Sequence, residues 1–460
     1  MEEKTVVEQD IDNWRRTHYS FQVNDSQINQ LVIIMGWISS KRDHGNVLFI
    51  QLRDKFGDIQ IVVKKKNSEK GIFEVLKNLK EHSSIGVKGK VVEQKRSSNN
   101  VEVIPLEIKV LSISTKAAPF LTQAVSTIGI DTRLELRALD LRRNYLQNVF
   151  KIRFTILNSI REFLTRNYFI EVNTPKMIAT ATEGGAALFP IFYYDREAFL
   201  AQSPQLYKEQ LTMAFENVFE IAPIFRAEPS RTNRHLSEAI SIDIEKAFVD
   251  YSDVMELLDG LITHIILRIQ EENANELKNL EIELPHINPP FPRYAYSDLI
   301  DKIQKNHKYI RWGDDISPKI LKDVTVDGFY YIVDWPSSTK PFYVKSKPHP
   351  DASPSEHDPA ISKEKESDGG ISESFDLMYG TLELSSGSTR INNKDILLEN
   401  MKKKGLNFAA FDYHLRIFDY GIPPHAGFGL GLERLIMALL KIENIRDTTF
   451  YPRDIDRLTP

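Results

Sequence analysis

The sequence predicts an α+β protein whose main body follows a small β-barrel, and three observations carry that prediction. Between Leu31 and Leu111, five runs of alternating apolar residues lie near 31–38, 47–53, 58–63, 84–92 and 101–111. A helical pattern at 71–80 separates the third run from the fourth. From Leu146 onward, helical periods mix with strands gathered into antiparallel runs. Between these two patterns lie Ser112–Phe120, with its Ser, Thr, Ala and Pro, and the arginine-rich Asp131–Asn144, which read as a linker. The expected organisation is therefore a barrel over 1–115, a hinge over 116–145 and a body over 146–460.

Five strands with a helix between the third and fourth are the arrangement of an OB barrel. In the second run, Leu48, Ile50 and Leu52 share one face, and Val47, Phe49, Gln51 and Arg53 the other. If the first face fills the barrel, Phe49 stands outside. Gln60 falls on the polar side of the third strand, and Arg42 belongs to the loop before the second. A ring, an amide and a guanidinium then share one patch, which suits single-stranded bases through stacking and hydrogen bonding. An isolated surface aromatic is the alternative reading of these three residues. Residues 15–116 hold 18 Lys and Arg against 10 Asp and Glu, within a chain of net charge -5, so the barrel is the basic module. That balance suits a polyanionic partner, and a solvated basic face equally.

In the body, Phe150, Phe154, Leu157, Ile160 and Leu164 follow a helical period. Phe169–Val172 then turns extended ahead of Thr174-Pro175. A helix at about 203–216, strands at 217–227 and 238–248, a long helix at 253–272 and a closing helix at 431–442 follow. The stretch 346–370 is polar and rich in Pro, Ser, Asp, Glu and Lys, and reads as a mobile loop.

Composition excludes several chemistries. The 460 residues are 42% hydrophobic and 27% charged, enough material for a sizeable core. With no cysteine, thiol nucleophiles, thiolate metal sites and disulfides are ruled out, leaving His and carboxylate as metal ligands. No apolar run approaches the ~20 residues that cross a bilayer, and the acidic N-terminus does not resemble a targeting peptide. A cytoplasmic protein is expected.

Strand parity gathers the charged residues. Arg226 and Glu228 project together from the end of one strand. Ser241, Asp243 and Glu245 share a face of the next, which brings Asp243 toward the same cleft if the two strands pair. The loop between them holds Arg231, Arg234 and His235, and Arg434 opens the closing helix. An arginine stays protonated and offers a planar fork of donors, so arginines from different elements can clamp a bent triphosphate. Gly427-Phe428-Gly429-Leu430-Gly431 does not complete a dinucleotide fingerprint, and Pro423-Pro424-His425 rather than a buried parallel strand precedes it. Its glycines are expected to let a helix pack closely on the sheet. Gln205 and Lys208 lie three apart on one face of a helix start.

Phe225-Arg226-Ala227-Glu228 with Arg234-His235-Leu236-x-Glu238 resembles motif 2 of class II aminoacyl-tRNA synthetases. Gly429–Arg434 resembles motif 3, and Phe169–Pro175 resembles motif 1. The resemblance is to the archaeal and eukaryotic aspartyl type and extends from Arg16-Thr17-His18-Tyr19-Ser20 to Pro460. It implies a class II catalytic domain behind an anticodon-binding OB domain, and a ligase that makes aspartyl-adenylate from Mg²⁺-ATP and charges tRNA(Asp), with tRNA(Asn) left open. By resemblance, Arg226 holds the α-phosphate, Arg434 the γ-phosphate and Arg234 or His235 the outer phosphates. Glu228 reaches the adenine amino group, and Glu383 with Ser386 binds Mg²⁺. Lys208 and Arg390 grip the aspartate side chain, Asp243 orients Lys208, and Glu183 with Gln205 receives the α-ammonium. Arg42, Phe49 and Gln60 fall where aspartyl enzymes read the anticodon, and motif 1 implies a homodimer. The sequence departs from the pattern at Glu238-Ala239-Ile240, where relatives carry an aromatic that covers adenine. Phe225 or an aliphatic shelf is left for that task.

The same residues speak against three rival functions. An asparaginyl enzyme shares the frame but does not usually place a lysine at the Lys208 position or an aspartate at Asp243. A non-catalytic RNA-binding relative normally loses a motif arginine or a substrate residue. An ammonia-using asparagine synthetase is disfavoured by the attached OB domain.

Overall fold

A computed structural model describes residues 7–66, 71–94, 100–120, 128–180, 188–314, 316–323, 327–347 and 370–460. The chain divides into two units, Met1–Arg133 and Leu134–Pro460.

The first unit is a closed five-stranded barrel. Its strands are β1 (Leu31–Asp43), β2 (Val47–Arg53), β3 (Asp58–Lys64), β4 (Ser84–Glu93) and β5 (Val101–Ser112), closing in the order β1-β2-β3-β5-β4. The helix Ile72–Asn78 lies between β3 and β4 in sequence. Leu48, Ile50 and Leu52 are buried with Ile34, Ile38, Ile61, Val87 and Val103, so the alternate residues of β2, Phe49 among them, point away from the core. One strand is longer than its apolar run implies. β1 passes a bulge between Ile38 and Ser40 and continues to Asp43, which puts Arg42 on a strand directly opposite Phe49 rather than in a loop. The bulge inserts a residue and bends the strand, allowing pairing to continue after the apolar alternation has lapsed.

The second unit is built on an eight-stranded sheet in the order β12-β13-β16-β17-β18-β11-β10-β6. The strands are β6 (Ile170–Glu171), β10 (Asn217–Phe225), β11 (Glu238–Ala247), β12 (Arg293–Ala295), β13 (Phe329–Val333), β16 (Ser374–Tyr379), β17 (Leu382–Thr389) and β18 (His425–Gly431). The outermost pairs, β6 with β10 and β12 with β13, are parallel, and the pairs between them are antiparallel. β7 (Met177–Ile178), β8 (Pro190–Tyr193) and β9 (Arg196–Leu200) form a separate three-stranded sheet. β14 (Ser346–Lys347) and β15 (Ile371–Ser372) pair at the base of the 346–370 stretch, most of which lies outside the described residues.

Three helices cover one face of the sheet: Asn144–Arg166, Tyr251–Glu272 and Leu432–Leu440. Ile152, Ile156 and Ile160 of the first, Leu258, Ile262 and Ile265 of the second and Leu435, Ile436 and Leu439 of the third join Ile242, Ile244, Phe428 and Leu430 in one core. Burying each such side chain stabilises by about 1.5–3 kcal/mol. Asp250 begins the second helix by accepting from the backbone of Ser252 and Asp253, a cap worth about 1 kcal/mol. The core takes that face, leaving the other face of β11, β17 and β18 for polar residues.

The glycine-rich segment departs from its expected role. It is a strand, β18, pairing antiparallel with both β11 and β17, and the helix begins only at Leu432. A Cβ on Gly427 would lie 2.1 Å from the Ile244 carbonyl oxygen and 2.3 Å from the Glu245 carboxylate, and one on Gly429 would lie 3.4 Å from Asp243. At Gly427 the Ile244 backbone and the Glu245 side chain of the neighbouring strand, not a helix, leave no room for a side chain, whereas Gly429 makes only ordinary contact with Asp243. Alternation of Gly with Phe428 and Leu430 leaves no polar side chain on the opposite parity, which hides the strand from a pattern search.

Candidate active site

A cavity of about 310 Å³ opens on the polar side of the sheet over β10, β11, β17 and β18. Gln205, Arg226, Glu228, Arg234, His235, Asp243, Glu383, Ser386, Arg390 and Arg434 all line it. Lys208 is not among the lining residues but lies directly behind it, bonded to Asp243. Glu183 lies outside the described residues.

One end is a buried charge cluster. Lys208 and Arg390 are 2% and 4% exposed. The Lys208 ammonium lies 3.2 Å from Asp243 and 3.3 Å from Glu245, and 3.4 Å from the carbonyls of Ile244 and Phe428. These contacts are long for charge-assisted bonds. Arg390 donates to both oxygens of Glu245, at 2.9 and 3.2 Å, and also to Ser388 Oγ. Burial works against the charge of Arg390, but Glu245 outweighs it and holds the guanidinium firmly protonated. Tyr343 packs against its face at 5.5 Å. A guanidinium has five N–H donors, so three bonds leave donors for a further ligand. Glu245, fully buried, thus bridges both cations. Its parity with Ser241 and Asp243 had placed it on this face, yet nothing in the sequence distinguished it as a bridge.

Local structure explains the convergence. Lys208 sits in the first turn of the helix Gln205–Phe215, and Asp243 and Glu245 are two apart on β11, so both project to the same face. Antiparallel pairing sets Asp243 opposite Glu220 on β10 and Gly429 on β18. Glu220 turns to a structural task, accepting from the Thr174 backbone and hydroxyl and from Lys176.

The other end is open and cationic. β10 stops at Phe225, two residues short of the expected limit, so Arg226 and Glu228 leave from the chain beyond the strand rather than from its ledge. Both still face the cavity. Arg434, on the first turn of the helix Leu432–Leu440, donates to the Glu383 carbonyl at 3.1 Å and approaches its carboxylate at 4.0 Å. His235 reports the crowding: burial together with Arg434, Arg226 and Arg234 pushes its pKa down, against the pull of Glu228. Thr232 and Ser230 hydroxyls meet its Nδ1. Between the two groups of charges the wall is aliphatic, with Leu236, Ala239, Ile240 and Leu384. Phe225 does not line the cavity.

Asp376, on β16, carries no local signal in the sequence. Asp376 is buried, and Lys340 donates to both of its oxygens at 3.1 Å. Burial pushes the Asp376 pKa up, Glu383 adds to the rise, and Lys340 and a hydrogen bond to Ser386 oppose it. Glu383 and Ser386 line the cavity, and Asp376 lies behind them, tied to Ser386 and Lys340. Register explains why the sequence concealed this: Asp376 pairs with Ser386 only across β16 and β17, through an irregularity between Leu377 and Met378. Among the described residues no cluster of three or more His, Asp or Glu could by itself hold a metal.

On the barrel, Gln60 lies opposite Gln51 and accepts from its amide at 3.2 Å, while donating to Glu102 at 3.1 Å. His44 packs edge-on to Phe49 at 5.7 Å. Arg42, Phe49 and Gln60 thus occupy three adjacent strands, with Arg42 opposite Phe49 and Phe49 opposite Val62. Glu102 of β5 fixes the Gln60 amide, a contact that strand parity alone does not indicate.

Residues 129–455 match a family model described as tRNA synthetases class II (D, K and N), and residues 32–113 match an OB-fold nucleic acid binding domain. The sequence is 45% identical over 450 residues to an aspartate–tRNA(Asp/Asn) ligase of Methanocaldococcus jannaschii, covering 97% of this chain and 99% of the relative. Among solved structures it is similar to asparaginyl-tRNA synthetase from Pyrococcus horikoshii complexed with asparaginyl-adenylate. That match has a TM-score of 0.87 and 30% identity, over 97% of this chain and 100% of the other. A putative aspartyl-tRNA synthetase from Leishmania major matches with a TM-score of 0.83 and 25% identity, over 99% and 97% of the two chains.

Proposed function

Because the chain belongs to the class II tRNA synthetases of the D, K and N group, we propose that it is an aspartate–tRNA ligase. Members of this family act on an amino acid, ATP and tRNA with a divalent metal; the choice of aspartate, Mg²⁺ and tRNA is the proposal. The observation that carries it is the buried pair of cations, Lys208 and Arg390, bridged by Glu245 at one end of a cavity whose other end is lined by Arg226, Arg234 and Arg434.

The aspartate side-chain carboxylate is read by Arg390 and by Lys208, whose long contacts to Asp243 and Glu245 allow its ammonium to lean toward a new acceptor. An asparagine amide in that place would set an NH₂ against the two cations or meet them with a neutral carbonyl oxygen, a weaker acceptor than the carboxylate of aspartate. A site built around a buried polar contact discriminates strongly against a ligand that lacks it. This favours aspartate, although the asparaginyl enzyme from Pyrococcus horikoshii shares the frame. Gln205 and Glu183 receive the α-ammonium.

With aspartate placed, its α-carboxylate oxygen attacks the α-phosphorus of ATP in line. A new P–O bond forms as the bond to pyrophosphate breaks. Arg226 holds the α-phosphate, and Arg434, Arg234 and His235 take up the charge that develops on pyrophosphate. The depressed pKa of His235 leaves it neutral near pH 7, able to donate a hydrogen bond without adding to the cations around it. Glu228 meets the adenine amino group, and Leu236, Ala239 and Ile240 cover the ring. In the second step a hydroxyl of the terminal ribose of tRNA attacks the adenylate carbonyl and AMP leaves. No side chain need act as a nucleophile.

The metal fits the donor set. Mg²⁺ takes one or two carboxylates and otherwise keeps water and phosphate, and Glu383 with Ser386 offers a carboxylate and a hydroxyl on the cavity wall. Held by Glu383 and Ser386, it would neutralise phosphate charge.

The barrel serves as the anticodon-binding domain, with Phe49 stacking on a base while Gln60 and Arg42 supply polar contacts. The curated relatives carry both tRNA(Asp) and tRNA(Asn) in their names, so we extend the proposal to both. Exposed apolar residues around motif 1, Phe154 at 66% and Tyr168 at 86%, support a homodimer built on the helix Asn144–Arg166 and β6. Among the described residues no helix is long and apolar enough to cross a membrane. We place the enzyme in the cytoplasm, where tRNA is charged.

ATP–pyrophosphate exchange with aspartate and with asparagine tests the reading, followed by aminoacylation of tRNA(Asp) and tRNA(Asn) side by side. Exchange dependent on asparagine but not aspartate would overturn it.

A further inference from the structure

A second buried cluster, behind the amino-acid end, takes no part in the reading so far. Glu209, on the helix Gln205–Phe215, is fully buried. One of its oxygens accepts from the Gln205 amide nitrogen at 2.6 Å. The other is faced by His414 Nε2 at 3.4 Å and His425 Nε2 at 3.7 Å, both rings fully buried, and none of these three atoms completes a hydrogen bond.

The partners settle the protons. His425 Nδ1 lies 2.7 Å from the Pro423 carbonyl, which can only accept, so Nδ1 carries a hydrogen. The Gln210 amide nitrogen donates to His414 Nδ1 at 3.2 Å, which puts the proton of that ring on Nε2, toward Glu209. At His425, Nε2 presents a lone pair to the carboxylate unless it too is protonated. Burial opposes the imidazolium, and the Glu209 carboxylate overcomes that opposition and raises the His425 pKa. The Glu209 pKa is correspondingly held well below the usual range by His414 and His425, although burial works the other way. The other charged and titratable groups around the cluster are Lys208 on the same helix, Glu245 from β11, Arg390 after β17 and the Tyr413 hydroxyl.

An ionised carboxylate only accepts hydrogen bonds, so an amide beside it must turn its NH₂ inward. Gln205, which lines the cavity, must then present its carbonyl oxygen on the other side. We propose that Glu209, clasped between His414 and His425, is the positioning residue that turns the Gln205 amide so that its carbonyl meets the α-ammonium of the bound amino acid. A neutral group at position 209 could donate as well as accept. The Gln205 amide would then be free to flip and set its NH₂ against a cation. The inference rests on the reading of Gln205 as an amino-acid ligand and adds the device that orients it.

The test compares the wild type with Glu209→Gln in ATP–pyrophosphate exchange. Glu209→Gln is expected to raise KM for aspartate about 10- to 100-fold, the worth of a hydrogen bond to a charged group, with KM for ATP within about twofold. kcat is expected to stay within about twofold, which places the effect on aspartate binding rather than on a general loss of active enzyme. If Glu209→Gln is folded and its aspartate KM is unchanged, Glu209 is only structural and the inference fails. Should the variant not fold, ¹⁵N NMR of histidine-labelled wild type decides. Both His425 nitrogens protonated at neutral pH supports the inference, and an ordinary imidazole titration overturns it. Wild-type enzyme that shows no exchange with aspartate would instead refute the proposed function.

Discussion

The two ends of the cavity carry comparable cations and treat them in opposite ways. At the amino-acid end, Lys208 and Arg390 are buried and already tied to Asp243, Glu245 and Ser388. At the phosphate end, Arg226 and Arg234 are exposed, Arg434 is half-buried, and solvent reaches Glu383 and Ser386. Desolvating a charge costs several kcal/mol, so a buried cation survives only with close partners that also fix its direction. Such a site is rigid and selective. The phosphate end must accommodate charge that moves from ATP to departing pyrophosphate, and exposed arginines can follow it without a desolvation cost. Selectivity and stability are therefore coupled at one end of the cavity and separate at the other.

The sharpest way to break this contrast is Arg390→Ala. It strands Glu245 in the core beside Lys208, so it should destabilise the fold by about 3–5 kcal/mol. Aspartate-dependent exchange should also fall by about 10³-fold or more, as for a lost oriented contact in a water-excluded site. Urea unfolding and exchange assays read the two effects together; loss of activity with unchanged stability would mean that the pairing with Glu245 is not what holds the site. Arg434→Ala is the counterpart. It should cost about 10²–10³ in kcat for adenylate formation, with stability altered by no more than about 0.5 kcal/mol. A stability loss as large as that of Arg390→Ala would erase the distinction.

The same contrast explains how much the sequence disclosed. Strand parity placed Leu48, Ile50 and Leu52 inside the barrel and Phe49 outside, and set Asp243 on the cavity face, because a period of two is written directly into the residue order. Charged residues in short local signatures, such as Arg226 with Glu228, were legible for the same reason. What stayed hidden depends on register, either past a bulge within a hairpin or between distant strands. Asp376 joins Ser386 only across β16 and β17, Glu245 meets Arg390 only because β18 separates their strands with glycine, and Glu209 acquires meaning only from His414 and His425 some 200 residues away in sequence. Lys340 finds its partner, Asp376, only in the fold. The strand character of His425–Gly431 was lost for want of polar alternation.

The barrel offers a smaller, separable effect. Phe49→Ala should weaken tRNA binding by about 1–3 kcal/mol, the worth of one stacked base, while leaving tRNA-independent pyrophosphate exchange unchanged. Affinity should fall steeply with salt for wild type and variant alike, since the stacking ring carries no charge. Filter binding over a range of salt concentrations measures both. Equal affinity of Phe49→Ala and wild type would make Phe49 an ordinary surface aromatic.

The smallest expected effect is a pH dependence of stability from the pair behind the amino-acid end. The folded-state pKa of His425 is raised, so its contribution is fully present below the unfolded imidazole value of ~6.5 and is lost as pH rises through the folded value. For Glu209 the folded pKa is depressed, so its contribution is present above the unfolded carboxyl value of ~4.3 and is lost as pH falls through the folded value. Both are complete only between these limits, at about pH 4.5–6.5. Replacing His425 with Asn removes the imidazolium, so the alkaline fall in stability should flatten relative to wild type. Denaturant midpoints between pH 5 and pH 9 read the difference. Parallel slopes in the two proteins would show that Glu209 does not rely on the charge of His425, and that the cluster is held by its neutral hydrogen bonds alone.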